Sequence, residues 1–567
     1  MNGDSHFDAV VIGSGFGGSV VAYRLAGAGY RVCVLERGKA YPPGSFARRP
    51  REMAANFWDP SRGHHGLFNI WSFRGIQAVV SSGLGGGSLI YANVLIRKDE
   101  RWFVRESPFD GGYEAWPITR AELDPHYDEV ERMLSAQHFP FHAPGYDLAK
   151  TRAMEEAAKA LDLEWRLPNL AVTFAADGGD PLPGEPIPEG DYPNMFGRAR
   201  LTCRLCGECD IGCNYGSKNT LDHTYLSAAK HLGADIRTRC EVRRFEPRRQ
   251  GGFSVGYVEH KPDQEGTKTR TDKLPVVTVT CDRLVLAAGT LGSTYLLLRN
   301  RSAFPGISEV LGTRFCGNGD LLSFMMRSRS PIGAHRVLDS SRGPVITSAV
   351  RVPDKVDGGE GRGYYIEDAG YPLFVDWMLE GTTVRSTAVR FLEFAWHRLL
   401  ARISSDPRSD LGAEMAALIG SAELSSGSLP LLGMGRDIPD GVMELRDGHL
   451  DVKWTIDTSR SYFDRVESTM AEMSKALGAK FRKNPRGWLR RVITVHPLGG
   501  CPMGDNDKRG VVDPYGRVFG YPGMYITDGA AMPGPVGANP SLTIAAFADR
   551  AAERMIEEGR GVPRTQT

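Results

Sequence analysis

Apolar and polar positions divide the chain into segments of different period. Phe7 to Ile12 is an unbroken apolar run rich in β-branched residues, the pattern of a strand buried on both faces. Gly13-Ser14-Gly15-Phe16-Gly17-Gly18 follows, then the helix-forming run SVVAYRLAGAG and a second apolar run, RVCVLE, ending at Glu36. This predicts a βαβ unit. Leu284 to Leu298, LVLAAGTLGSTYLLL, reads as strand, glycine turn and helix. Met524 to Glu558 reads as a strand ending at Asp528, a Pro/Gly loop and a long helix opened by Asn539-Pro540, with Asn539 as its N-cap. WPITRAELDPHYDEVERML predicts a helix capped by Thr119 with Glu122 three residues on. Lys453 to Ala479 is strand-like and then helical, Pro181 to Pro193 is a loop, and Gln250 to Lys273 reads as a surface hairpin with a polar tip. There is no internal repeat.

The glycines of the first unit carry chemistry. GxGxxG at a strand-to-helix turn brings backbone N–H groups against a pyrophosphate at the helix N-terminus. Glu36, eighteen residues after Gly18, suits the ribose hydroxyls of an adenosine. The unit alone does not separate NAD from FAD. A second glycine run, SGLGGGSLIYAN from Ser82 to Asn93, allows close approach of a large planar ligand.

Composition narrows the class. With 567 residues the chain exceeds one simple core and predicts two domains. Hydrophobic residues make up 41% and charged residues 24%, an ordinary globular balance. A net charge of +1 argues against nucleic acid as a partner. No apolar run reaches membrane-spanning length, no secretory signal is read at the start, and nine cysteines are an odd number; the expectation is a cytoplasmic protein. One segment qualifies this. Leu392, Trp396, Leu399 and Ile403 form an apolar stripe on a helix made basic by Arg390, His397, Arg398 and Arg402. Residues 389–403 read either as a helix packed on the substrate domain or as a lid in transient, peripheral contact with a membrane.

GSGFGG, GLGGGS, LAAGTLGS, HPLGGCPMG and TDGAAMPGPVGANPSLT together resemble the glucose–methanol–choline (GMC) oxidoreductase family, over most of the chain. The resemblance implies an α/β fold: a Rossmann-like FAD-binding domain from 1–97, 201–338 and 486–567, interleaved with a sheet-plus-helices substrate domain from 98–200 and 339–485. It implies that Gly13, Gly15, Phe16, Gly17, Gly18, Glu36, Arg37, Gly85, Gly86, Ser88, Asn93, Val242, Ala288, Gly289, Asp528, Gly529, Asn539 and Pro540 line the FAD. The cofactor is expected to be noncovalent, because GGGSLIYAN offers no histidine for attachment. His496 and Asn539 match the pair that faces the reacting flavin edge and the substrate hydroxyl. The chemistry implied is alcohol oxidation, with the O–H proton leaving to a base and the hydride moving to flavin N5. Asn539, the run CGNGD at Cys316 to Asp320 followed by PIGAH at Pro331 to His335, and YYIEDAGYP at Tyr364 to Pro372 lean toward the cholesterol oxidase branch. Glu367 then matches the substrate-facing base, with Asp368 as an adjacent competitor. The partners implied are a bulky apolar alcohol and either O2 or an electron-carrier protein. A sugar or long-chain alcohol dehydrogenase and a flavin-binding protein without turnover are the other readings.

CRLCGECDIGC, Cys203 to Cys213, spaces four cysteines as C-x2-C-x2-C-x3-C, the run that holds iron–sulfur clusters in bacterial ferredoxins. Asn214 stands where ferredoxins have proline. Cys203, Cys206, Cys209 and Cys213 are therefore candidate ligands of an iron–sulfur cluster, with three or four irons; zinc and free thiols are the alternatives.

Overall fold

The computed structural model describes residues 6–49, 52–53, 55–107, 112–176, 178–371, 426–483 and 492–560. The segment 389–403 lies outside them.

Two large sheets organise the chain. In the first, the order is Asp235–Arg237, Val32–Leu35, His6–Ile12, Val276–Leu286, Phe253–Glu259, Cys240–Pro247. Met524–Ile526 adds in parallel to the end of Val276–Leu286. His6–Ile12 pairs in parallel with both Val32–Leu35 and Val276–Leu286, and its apolar residues from Ala9 on are buried. That two-sided burial is why the run contains no alternation. The helix Phe16–Gly27 connects the first two strands as a parallel crossover. The predicted βαβ unit and the strand–turn–helix at Leu284–Leu298 both form, the latter helix spanning Gly289–Arg299.

Three local readings differ. The hairpin places its turn at residues 248–252, where the Arg248 N–H donates to the Gly252 carbonyl, and pairs Phe253–Glu259 back onto Cys240–Pro247. The polar stretch after it is a loop with two short 3-10 turns. The final strand ends at Ile526 rather than Asp528. The last helix runs Ser541–Arg560, so Asn539 lies just before it. The capping box at Thr119 and Glu122 forms as predicted and opens Arg120–Met133.

The second sheet has the order Lys480–Lys483, Leu321–Met326, Leu429–Gly435, Tyr364–Asp368, Ala349–Val352, Glu164–Arg166. Its neighbours are antiparallel. The helix Arg460–Ala476 covers it through Tyr462, Phe463, Val466, Met470 and Met473. A three-stranded sheet of Val492–Thr494, Ile76–Ser81 and Phe68–Ser72 delivers the chain to His496. No helix among the described residues is long and apolar enough to cross a membrane.

Candidate active site

The glycines of GSGFGG have separate reasons. Gly13 has φ +99°, and a Cβ there would lie 2.3 Å from the Ala287 carbonyl oxygen. At Gly18 a Cβ would lie 2.0 Å from the Gly13 oxygen, so strand and helix pack only through glycine. A Cβ at Gly17 would meet the Thr527 oxygen at 2.4 Å. Gly15 differs: its nearest neighbour, Gly86 Cα, is 4.0 Å away. Open space at the helix N-terminus, between two glycine loops, could take a pyrophosphate.

Glu36 ends its strand with a buried carboxylate that accepts from Ser14 N (3.1 Å), Ser14 Oγ (2.7 Å) and Gly38 N (2.8 Å). Beside it Arg37 lies over the Trp58 ring, its pKa lowered by burial. Val242 is buried in the sheet, and Ala288 and Gly289 open the helix that follows. Phe16 meets Tyr91 edge-on at 5.5 Å. Gly85 and Gly86 both have positive φ, and Ser88 Oγ donates to the Gly85 oxygen.

Asn93 is left-handed at φ 71°, fully buried, and neither its amide oxygen nor its nitrogen has a protein partner. Buried polar atoms are normally paired, so this side chain fits a ligand that supplies its hydrogen bonds. Asp528 does something else. It accepts from Gly289 N (2.8 Å), Ser293 Oγ (2.5 Å) and Ala530 N (2.9 Å), tying the turns at Gly289 and Gly529 together. Burial raises its pKa to about 6.

The candidate reacting groups come from three segments. Asn539 donates its amide to Glu367 Oε2 at 3.3 Å, across a sequence separation of 172. Glu367 Oε1 and Asn539 Oδ1 are both buried without a partner. Burial pushes the Glu367 carboxyl up to about 8, against the lowering effect of the Asn539 hydrogen bond. The expectation that Asn539 caps the helix is corrected here: the helix starts at Ser541 and Asn539 Oδ1 accepts no backbone N–H, so the capping bond is not made. Asp368 is also resolved. It accepts from Thr347 N and Oγ1 and from Ser348 N and Oγ, and Lys150 Nζ lies 3.0 Å from it with both side chains unexposed. Adjacent strand residues face opposite sides of a sheet, so only Glu367 shares a face with Asn539.

His496 places Nδ1 2.8 Å from Asp320 Oδ1. Asp320 comes from CGNGD, whose Asn318 donates to the Ala538 oxygen and accepts from Gly537 N, both at 2.9 Å. One short segment thus holds His496 on one side and the approach to Asn539 on the other. Sequence reasoning noticed CGNGD only as a branch marker; the acid and amide at alternate positions were the signal for this double role. His335 of PIGAH hydrogen-bonds Ser426 and takes no part in the cluster.

The similarity to known proteins now has a geometry to stand on. Models described as GMC oxidoreductase match residues 192–316 and 446–548, and one described as an NAD(P)-binding Rossmann-like domain matches 11–53. Cholesterol oxidase of Mycobacterium tuberculosis (strain ATCC 25618 / H37Rv) is 32% identical over 98% of this chain and 92% of its own length. The chain belongs to the GMC oxidoreductase family. This GMC oxidoreductase is also 28% identical to cholesterol oxidase of Acinetobacter baumannii (96% of this chain, 93% of that one). Paromamine 6'-oxidase of Streptomyces fradiae is 26% identical (97% and 91%). Its fold matches that of a fungal aryl-alcohol oxidase at TM-score 0.56 and 15% identity, covering 98% of this chain and 100% of that one. Pyridoxine 4-oxidase from Mesorbium loti matches at 0.54 and 16%, covering 96% and 98%. The family and the Rossmann-like domain point to FAD as the cofactor of an enzyme that oxidises alcohols.

In this GMC oxidoreductase Cys203, Cys206, Cys209 and Cys213 line one small cavity of about 20 Å3, with Lys218 and Tyr215 on its wall. Burial raises the pKa of Cys203, Cys206 and Cys209. Among the described residues no three His, Cys, Asp or Glu are gathered as ligands of a single metal ion. That geometry lends no support to either metal reading of the four cysteines, zinc or an iron–sulfur cluster. Asn214, in place of the ferredoxin proline, grips Phe46 by both backbone groups, accepting from its N–H and donating to its oxygen. Lys218, fully buried, donates to the oxygens of Leu89, Tyr91 and Cys209, joining the glycine-rich loop to the cysteine loop.

Proposed function

We propose that this enzyme oxidises the hydroxyl of a bulky apolar alcohol, a sterol 3-hydroxyl, to a ketone. The observation that carries the reading is the Asn539–Glu367 pair, with one buried, unsatisfied oxygen on each side chain. A substrate hydroxyl entering there carries one O–H and so relieves one of the two desolvated acceptors. FAD, when bound, supplies the hydride acceptor. His496 Nε2 takes the hydroxyl proton. Asn539 holds the alcohol oxygen without titrating. Glu367, largely neutral near pH 7 because of burial, becomes a base when ionised. The cholesterol oxidase names of two relatives support the substrate class. Anaerobic bleaching of the flavin by a panel of sterols, sugars and fatty alcohols tests it. Bleaching by sterols alone is expected; bleaching by sugars alone overturns the substrate class, and none at all favours a flavin-binding protein without turnover.

A second reading concerns the acceptor. The spacing of the four cysteines supports an iron–sulfur cluster that passes electrons singly to a carrier protein instead of O2. Burial raises the thiols of Cys203, Cys206 and Cys209, and the positive charge of iron would favour their ionised form. Iron and sulfide analysis with low-temperature EPR on anaerobically purified protein tests it. Absence of both leaves O2 as the acceptor and the loop as a structural element tied to Phe46.

A further inference from the structure

We propose that Asp320 is the positioning residue for His496: its carboxylate keeps the proton on Nδ1 and leaves Nε2 as the bare acceptor for the substrate proton. The inference rests on the reading of His496 as proton acceptor and adds the group that prepares it. A carboxylate only accepts, so the 2.8 Å contact between Asp320 Oδ1 and Nδ1 requires Nδ1 to donate. Neutral imidazole then carries its lone pair on Nε2. Among the described residues Nε2 has no protein partner, and the side chain is 16% exposed, open enough to meet a ligand.

The carboxylate is itself immobilised. Asp320 Oδ2 accepts from Thr494 Oγ1 (2.9 Å), Val495 N (2.8 Å) and His496 N (3.2 Å), and the side chain is 1% exposed. Three donors on one oxygen leave the other directed at the imidazole. Because Asn318, two residues earlier, clamps the loop before Asn539, the same backbone sets the spacing of proton acceptor and alcohol holder. A change at Asp320 therefore acts on both the tautomer and the ring direction of His496, and leaves the proposed flavin contacts untouched.

Asp320→Asn makes the inference testable in an unusual way. The three donors that hold Oδ2 will select the amide oxygen, so the amide NH2 turns toward Nδ1. It donates there, and the proton moves to Nε2. The experiment is 15N-histidine NMR of the FAD-loaded enzyme, with the His496 resonances identified by their loss in His496→Ala. It is paired with anaerobic stopped-flow reduction by cholesterol in micelles. The wild type is expected to show Nδ1–H and unprotonated Nε2. Asp320→Asn is expected to show the opposite tautomer and flavin reduction slowed by about 10²-fold or more, with FAD retained. A wild type with Nε2–H overturns the inference, even where the variant fails to fold. So does a variant with unchanged tautomer and unchanged reduction. If the wild type oxidises no alcohol, the proposed function fails, and the tautomer still decides Asp320.

Discussion

Lys150 and Asp368 form an ion pair 3.0 Å long in which neither side chain meets solvent. Lys150 also donates to the oxygens of Pro344 and Val345 at 2.7 Å, so the cation is fully used. The pair sits beneath the strand that presents Glu367, and it assigns the two adjacent acids opposite fates. Breaking it leaves an uncompensated charge. Lys150→Met is expected to cost about 3–5 kcal/mol, read from the midpoint of a urea melt. Lys150→Met combined with Asp368→Asn, whose amide oxygen can still accept from Thr347 and Ser348, should recover part of that loss; equal destabilisation by single and double variants would refute the pairing.

Glu367 should impose a pH dependence. Its carboxyl stands at about 8 in the folded protein against an ordinary 4.5. If its ionised form serves as base, the rate of flavin reduction rises with pH and levels off above about 8. Glu367→Gln is expected to be slow and flat across that range. Linkage gives a second readout. The folded state holds this proton more tightly than the unfolded state, so the group lowers stability progressively as pH rises from about 4.5 to about 8. Glu367→Gln removes that slope. Identical stability-versus-pH curves for the two proteins would contradict the burial argument.

His496→Ala is expected to slow anaerobic flavin reduction by about 10²-fold or more, the size of a lost acid–base group, with FAD still bound. Unchanged single-turnover reduction would remove His496 from the chemistry.

Asn539→Ala separates two roles that the amino acid suggests. A lost helix cap would cost about 1 kcal/mol, but Asn539 Oδ1 accepts no backbone N–H, and its Nδ2 donates to Glu367. The variant is expected to melt near the wild type while its reduction rate falls. Its pH profile should move to higher pH, because the hydrogen bond that lowers the Glu367 pKa is gone. A profile at the wild-type position would show that Asn539 does not act through Glu367.

FAD should leave on denaturation. The segment Gly85 to Asn93 carries no histidine for attachment, so urea followed by filtration is expected to release yellow cofactor. Colour retained on the polypeptide would indicate a covalent link.

The nucleotide-binding half was legible because its constraints are local. A strand, a glycine turn and a helix lie consecutively; Gly18 packs against Gly13 within that turn, and Gly13 holds a positive φ beside the neighbouring strand's end. The choice between Glu367 and Asp368 was not legible. Both are acids on one strand, and nothing in YYIEDAGYP says which face meets Lys150 and which meets Asn539. Asn539 was misread as a cap for a related reason: Asn before Pro at a helix start has a strong local explanation, and the competing partner lies 172 residues away.

The sequence by itself determined the family, the parallel core around His6–Ile12 and the identity of His496, Asn539 and Glu367 as candidates, because residue type and spacing along the chain encode turns, periods and motifs. Tertiary structure alone decided which groups meet. It put Asp320 against His496 across 176 residues, sent Asn539 to Glu367, withdrew Asp368 into an ion pair and gathered four thiols around one cavity. Hydrogen bonds and ion pairs act over about 3 Å, a distance set by how sheets pack and loops close, and local sequence pattern carries no record of it.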